Sequence, residues 1–362
     1  MGKVRAKRVA IMCAMPILVI WIAFVTVSAA TFLGQDEAGF NAHFLVGSRE
    51  NQELLRDLFA HLDAPSNTAE ENFAVAREIS NNLFREGAYG RLINFLGERV
   101  VWFPDDPFNS HHLLMIAYAH MRQGSLPIAA RYFDLIVKNF PDLEMNGVSI
   151  HLTCFLQLIE LNDNPEQQVW YYHELLSRFP HDIDQGVIWF RLARAYERVG
   201  NWAGSMRAYS NFLAHGSPAI PGFPDAGRHA RWQLNFNNSP RNWTFASLPA
   251  LTAAVRHALA TNNGAQLRDM QAGANFFTRS WGQDDIVSSQ PFNIQHFMWG
   301  TRIRYADGFH ERSNESEVFL RTWGWPQAVT VWYFHFRKIH FPSDPAVHGR
   351  WEWAGIYYGE SF

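Results

Sequence analysis

109-NSHHLLMIAYAHMRQGSLPIAARYFDLIVKNFPD-142 is the stretch that decides the fold. Two stretches with apolar residues at helical spacing flank Gly124, and the pair ends on Phe140-Pro141. Ala117 and Ala129 are small enough to let two antiparallel helices approach closely. Gly124 tolerates the left-handed backbone of a tight turn between them. Pro141 cannot continue a helix, so it closes one unit and starts the next. The same punctuation recurs at Phe103-Pro104 and Phe179-Pro180, with a degenerate fourth at Ser217-Pro218, in steps of 37, 39 and 38 residues. A fixed period in the thirties predicts stacked helix pairs and favours an interaction scaffold over a catalytic domain.

The other copies are less regular. Residues 186–218 keep Leu192-Ala193, Tyr196, Gly200, Trp202, Ser205 and Tyr209, with bulky Phe212 where a small residue is expected. Residues 73–104 keep Gly87, Tyr89 and Pro104 but carry Leu92 and Arg99 at small positions. Residues 149–180 fit worst: Asp163 replaces the glycine, and Leu156 and Gln168 replace small residues. Upstream, Ser48 caps a helix through Leu54, Leu55, Leu58, Phe59 and Leu62, and 63–68 is a break.

Ile116-Ala117, Gly124, Ala129, Phe133 and Pro141 stand where the tetratricopeptide repeat has its signature, and the segment resembles that family. A generic array of helical hairpins is the plainer alternative. The Phe-Pro ends also resemble periplasmic repeats of bacterial cell-envelope assembly proteins. The tetratricopeptide resemblance implies that the first helix of each pair lines a concave groove. It places Asn81, Arg85, Tyr118, Arg122, Gln157, Arg194 and Arg198 on that face. Arg85, Arg122 and Arg198 share one position in three copies, so a solenoid would stack them into a ladder. One reading has them grip carboxylates of an acidic or extended peptide, using the guanidinium fork. The other has each offset the dipole at the end of its own helix. Glu160 and Glu197 are near enough in sequence to neutralise them.

The chain's 362 residues suffice for two domains, and 48% hydrophobic residues make it globular. A net charge of −3 argues against nonspecific nucleic-acid binding. Lys3, Arg5, Lys7 and Arg8 precede an uncharged run, Val9 to Leu33, of 25 residues. That run is long enough to span a bilayer, while Val27-Ser28-Ala29 and Ser28-Ala29-Ala30 fit signal-peptide cleavage. On either reading the remainder is exported, periplasmic or otherwise extracytoplasmic, and stays tethered to the inner membrane only if 9–33 is uncleaved. Cys13 lies inside the run, so Cys154 has no partner for an internal disulfide and packs as a small hydrophobe.

Residues 217–240, with Pro218, Pro221, Pro224 and Pro240, read as a loop-rich connector packed by Trp232 and Phe236. Helices follow at 248–260 and 265–270, after which the apolar period changes to two. Phe292–Tyr305, Glu317–Trp323, Val329–Phe341 and Arg350–Tyr358 are the expected strands. In the third, Val329, Val331, Tyr333, Ile339 and Phe341 share one face and Trp332, Phe334 and Phe336 the other, so both faces need cover. The closing Gly349-Arg350-Trp351-Glu352-Trp353-Ala354-Gly355-Ile356 is similar to the last strand of nuclear-transport-factor-like cone domains. That resemblance implies a pocket between sheet and helices. Trp281, Trp299, Trp323, Trp325, Trp332, Trp351 and Trp353 then supply either its walls or a large core.

The expected fold class is therefore α+β multidomain: a tetratricopeptide-like solenoid, then an α+β domain with an antiparallel sheet. An immunoglobulin-like β-sandwich is the alternative. The expected boundaries are 1–34 for the signal or anchor, 35–70 for a spacer and leading helix, and 71–219 for the repeats. A connector at 220–246 and the aromatic-rich domain at 247–362 complete the chain. No phosphate loop, dinucleotide loop, nucleophile elbow or His-Glu-x-x-His helix appears, so no cofactor and no catalytic residue is assigned. His111 and His112 are adjacent, point to different helical faces, and read as surface and groove residues. His335 and His340 fall on opposite sides of a strand, against a shared metal, and Asp284-Asp285 reads as a solvated turn. The function expected is a non-enzymatic scaffold or adaptor binding a protein segment. The alternative is a ligand-binding or enzymatic cone presented by the helices.

Overall fold

A computed structural model describes residues 42–281, 292–298 and 302–360. The run 9–33, Asp284-Asp285 and Trp299 lie outside them. No helix of the described residues is long and apolar enough to cross a membrane. The chain is α+β, helical first and with a five-stranded sheet last. It divides into two compact units, Met1–Leu161 and Asn162–Phe362, and the split falls within the helical stretch.

In the first unit, helices α1 (Arg49–His61), α2 (Ala69–Arg85), α3 (Tyr89–Trp102), α4 (Asn109–Arg122), α5 (Leu126–Asn139) and α6 (Ile150–Leu161) each pack on the next, and α4 also touches α2 and α6. Ser48 caps α1, and a reciprocal Thr68/Glu71 capping box starts α2. Gly87 and Gly124 take φ of +70° and +76°. In each turn the glycine N–H and the next N–H return to carbonyls of the last helical turn, so the helix closes without orphaned acceptors. Ala117 and Ala129 are fully buried, as close helix approach requires. Arg99, the large residue at a small position, is 6% exposed and reaches Asp63 at 2.8 Å. The expected spacer is partly core: Phe44 is 1% exposed, against Phe59 and Phe95. A hairpin of β1 (Glu144–Met145) and β2 (Val148–Ser149) turns on Asn146-Gly147, which the helical reading passed over.

The Phe-Pro turns are tied by side chains from the first turn of the helix that follows. The buried Asn109 amide donates to the Phe103 and Pro104 carbonyls at 2.8 and 3.1 Å. His151 Nε2 faces the Phe140 carbonyl at 3.0 Å, which requires the proton on that nitrogen. In the second unit, Gln185 Nε2 donates to the Pro180 carbonyl at 3.1 Å.

The second unit begins with α7 (Pro165–Arg178), α8 (Gln185–Arg198), α9 (Trp202–Ala214) and α10 (Ala226–Asn237), again packed in sequence. The fourth of these corrects the loop-rich connector. Pro218, Pro221 and Pro224 all precede it, and Ala226, Ala230 and Phe236 give it a buried side. Trp232 stacks on Phe236 at 5.3 Å, as the connector's packing requires.

Helices α11 (Leu248–Ala260) and α12 (Gly264–Met270) precede a sheet of order β3-β7-β6-β5-β4. Its strands are β3 (Phe277–Ser280), β4 (Arg304–Tyr305), β5 (Glu317–Trp323), β6 (Val331–Lys338) and β7 (Trp351–Tyr358). Strands β4 to β7 pair antiparallel, but β3 runs parallel to β7, so the sheet is mixed and the antiparallel expectation is corrected. The parallel strand is a short edge segment, and its connection to β7 is the long stretch that contains β4, β5 and β6, well over the dozen residues that a parallel pairing needs. The expected strand at 292–305 is instead a 3-10 turn, Ile294–Phe297, and a two-residue strand at Arg304–Tyr305. Among the described residues of this unit there is no second sheet, which a sandwich would require.

Both faces of β6 are covered. Trp332, Phe334 and Phe336 join Trp325, Trp351, Trp353 and the apolar sides of α11 and α12 in one core. Tyr333 joins Phe277, Phe319, Ala354 and Tyr357 on the other face, with Trp281 and Val331 packed against them. Four of the tryptophans weighed as pocket walls therefore fill core. Ile339 and Phe341 leave that face for a third cluster with Phe236 and Trp243, because β6 ends at Lys338. Glu352 is fully buried but paired: Trp243 Nε1 donates to it at 2.9 Å and Arg337 Nε at 3.2 Å.

Replacing Asn109 by Leu keeps the volume and removes the amide, leaving the Pro104 carbonyl unpaired while the Phe103 carbonyl keeps the Asp106 N–H. We expect Asn109→Leu to cost about 1–3 kcal/mol, read as a lower denaturant midpoint at an unchanged slope.

Candidate functional site

The two turn closures of the first unit set equivalent residues at the ends of α2 and α4. Phe84 and Met121 each stand three residues before the turn glycine, and their carbonyls accept from Gly87 and Gly124 at 3.1 and 3.0 Å. Arg85 and Arg122 follow them, in the last turn of their helices. An open pocket of about 460 Å³ lies here, lined by Phe84, Tyr118, Met121 and Arg122. Tyr118 is held from below by Phe133 of α5, ring centroids 5.9 Å apart. Phe84 is braced by Tyr89 at 5.2 Å. Burial first, and the neighbouring Cys154 thiol second, push the Tyr118 hydroxyl pKa up, so it stays a neutral donor.

The exposed Arg122 guanidinium lies over the Phe84 ring at 5.8 Å. Among the described residues it has no carboxylate partner. Arg85 has one, Glu78 at 3.4 Å, but both side chains are largely exposed, and such a pair contributes little. The Arg122 cation therefore stands beside an apolar floor, and Arg85 occupies the equivalent end of α2. The floor can take a large apolar side chain, while the fork of Arg122 can donate to a carboxylate.

Of the residues expected to line a groove, the pocket brings together Tyr118 and Arg122. Asn81 and Gln157 are half-buried on α2 and α6, and neither they nor Arg85 belongs to its lining. In the second unit Arg198 donates to Gln168 Oε1 at 3.1 Å and to the Asp163 carbonyl. Arg194 pairs with Glu197 and covers Phe223 at 5.6 Å. Both are thus engaged by their own unit. Arg85, Arg122 and Arg198 do all sit in the last turns of their helices, where a cation is favourably placed against the helix dipole. Sequence reasoning missed Phe84 and Met121. Aligning the copies on Gly87 and Gly124 exposes the signal, a large apolar residue at the same offset.

The reading of His111 and His112 as surface and groove residues is overturned. They are 8% and 1% exposed, in the first turn of α4. His111 meets the Phe73 ring edge-on at 5.0 Å, and His112 Nε2 lies 3.9 Å from Asp106. Burial, then the charges of His112 and Arg77, lower the His111 pKa to about 4. Burial pushes the Asp106 carboxyl up, but the nearby His112 imidazole, the Phe108 N–H and the charge of Arg99 outweigh it and hold it low. In the second unit His335 is 4% exposed within the aromatic face, stacked on Phe319 at 4.9 Å. Burial, then Arg337 and Arg279, lower its pKa to about 3. His340 lies past the end of β6, exposed, its ring 5.2 Å from that of His348. No group of three or more potential ligands is placed to hold a metal among the described residues.

No protein-family model matches the chain, and no curated protein does.

His111 and His335 are neutral in the fold, and the unfolded chain takes up their protons more readily. Their stabilising effect is complete above an ordinary histidine pKa of about 6.5 and is lost as the pH falls below it. Denaturant midpoints are expected to drop between about pH 6.5 and 4. The variant His111→Phe should show a shallower drop over that interval when the same midpoints are measured.

Proposed function

We propose that the chain is a non-enzymatic adaptor of the cell envelope whose helix pairs form a tetratricopeptide-like array. Its binding face carries a protein segment that is extended and acidic. The observation that carries this is the pocket at Phe84, Tyr118, Met121 and Arg122, with a guanidinium that has no carboxylate partner among the described residues. Arg85 adds a second cation at the equivalent helix end. A segment with an apolar side chain beside a carboxylate matches both halves of the site. The left-handed turn glycines, the fully buried alanines and the tied Phe-Pro turns support the array reading.

The basic patch and uncharged run at 9–33 support export, with the body held at the inner membrane or released by cleavage. For the second unit, two helices packed against one face of a sheet support a cone-like reading. The aromatic core that fills the described part of that face favours a structural role over a ligand pocket.

A photoreactive residue at Met121 of the full-length chain, in cells, is expected to give a discrete protein adduct. Arg122→Glu should reduce that adduct about tenfold, as loss of one charge-assisted contact implies. An adduct of unchanged yield would remove the groove from the account.

A further inference from the structure

Helix α3 ends in three consecutive large apolar side chains at the surface. Val101 is 50% exposed, Trp102 71% and Phe103 46%. The sister turns show that the turn itself does not need them. Lys138-Asn139 precede Phe140-Pro141, and Ser177-Arg178 precede Phe179-Pro180, all four polar and exposed. Phe179 is 8% exposed and Phe140 is half-buried, whereas Phe103 stands out. An exposed tryptophan beside two further apolar residues marks a contact surface.

The position of the patch says what it meets. Trp102 is seven residues after Phe95 and lies on nearly the same face of α3, about 10 Å along the axis. At the level of Phe95 that face is covered by Phe44 and Phe59, ring centroids 5.8 and 5.6 Å away. The Leu45 carbonyl accepts from Arg91 of the same helix at 3.1 Å. The described chain therefore begins against α3. Between the uncharged run, ending at Leu33, and residue 42 there are only eight residues. Fully extended, they span at most about 28 Å.

We propose that Val101, Trp102 and Phe103 form a membrane-contact patch that rests in the interfacial zone of the bilayer holding residues 9–33. This rests on the anchor reading of that run. Tryptophan suits the zone because its ring is apolar and its N–H still finds a polar partner. Glu98, Asp105 and Asp106 flank the patch in sequence, and the cation beside it in sequence, Arg99, is buried and paired with Asp63, so zwitterionic headgroups fit it better than anionic ones.

The test uses the full-length chain in phosphatidylcholine vesicles, in a Trp21→Phe background so that the run itself carries no indole. Quenching of tryptophan emission by lipids brominated on the acyl chain is compared with that of Val101→Lys/Trp102→Asn, which installs the residues of a sister turn. Both proteins should float with the vesicles and melt at the same temperature. The lipid-dependent quenching should fall at least severalfold in the double variant, and in Trp102→Ala alone. Equal quenching in all three overturns the patch while leaving the anchor standing. Failure to float overturns the anchor reading and the patch with it. Equal quenching together with a dimer that the double variant abolishes assigns the surface to protein contact and overturns the lipid reading.

Discussion

A proline that ends a helix leaves backbone carbonyls with no partner of their own, and burying them unpaired is costly. The helical part of this chain answers that constraint the same way each time. The first turn of the following helix supplies a donor: Asn109 to Phe103 and Pro104, His151 to Phe140, Gln185 to Pro180. Each bond fixes where the next helix starts. The turn glycines then fix where the first helix of a pair stops. With both ends set, Phe84 and Met121 fall at matching heights in the first unit, and the pocket between them follows.

In the sheet Glu352 obeys the same rule, whereas neither ring nitrogen of the buried His335 has a hydrogen-bond partner among the described residues. A bulge between His335 and Phe336 skips Ala354, and the two faces of β6 keep separate aromatic clusters on either side of it. Glu352 is tolerated at full burial because Trp243 and Arg337 both donate to it. His335 is tolerated because it stays neutral between Phe319 and Tyr357.

Local chemistry was legible in the sequence where a single element decides it. Ser48 caps the helix it precedes, β5 spans Glu317–Trp323, and α11 spans Leu248–Ala260, as periodicity and capping indicated. The Asn146-Gly147 hairpin was equally legible and was passed over because a helical period was already assumed on both sides. Other features needed the tertiary structure. Burial of His111 depends on Phe73, which is distant in sequence. The parallel pairing of β3 depends on β7, nearly eighty residues later. Of the site, the arginine at a shared repeat position was legible. Tyr118 was legible with it, but Phe84 and Met121 were not, because they come from different helix pairs and read separately as ordinary amphipathic positions.

Hydrogen exchange of the full-length chain, free and saturated with its captured partner, tests the central claim most directly. The account predicts slowed exchange in the last turns of α2 and α4, around Phe84 and Met121, with the sheet strands unchanged. Protection confined to β5, β6 and β7, with those helix ends untouched, would contradict it and move the binding surface to the second unit.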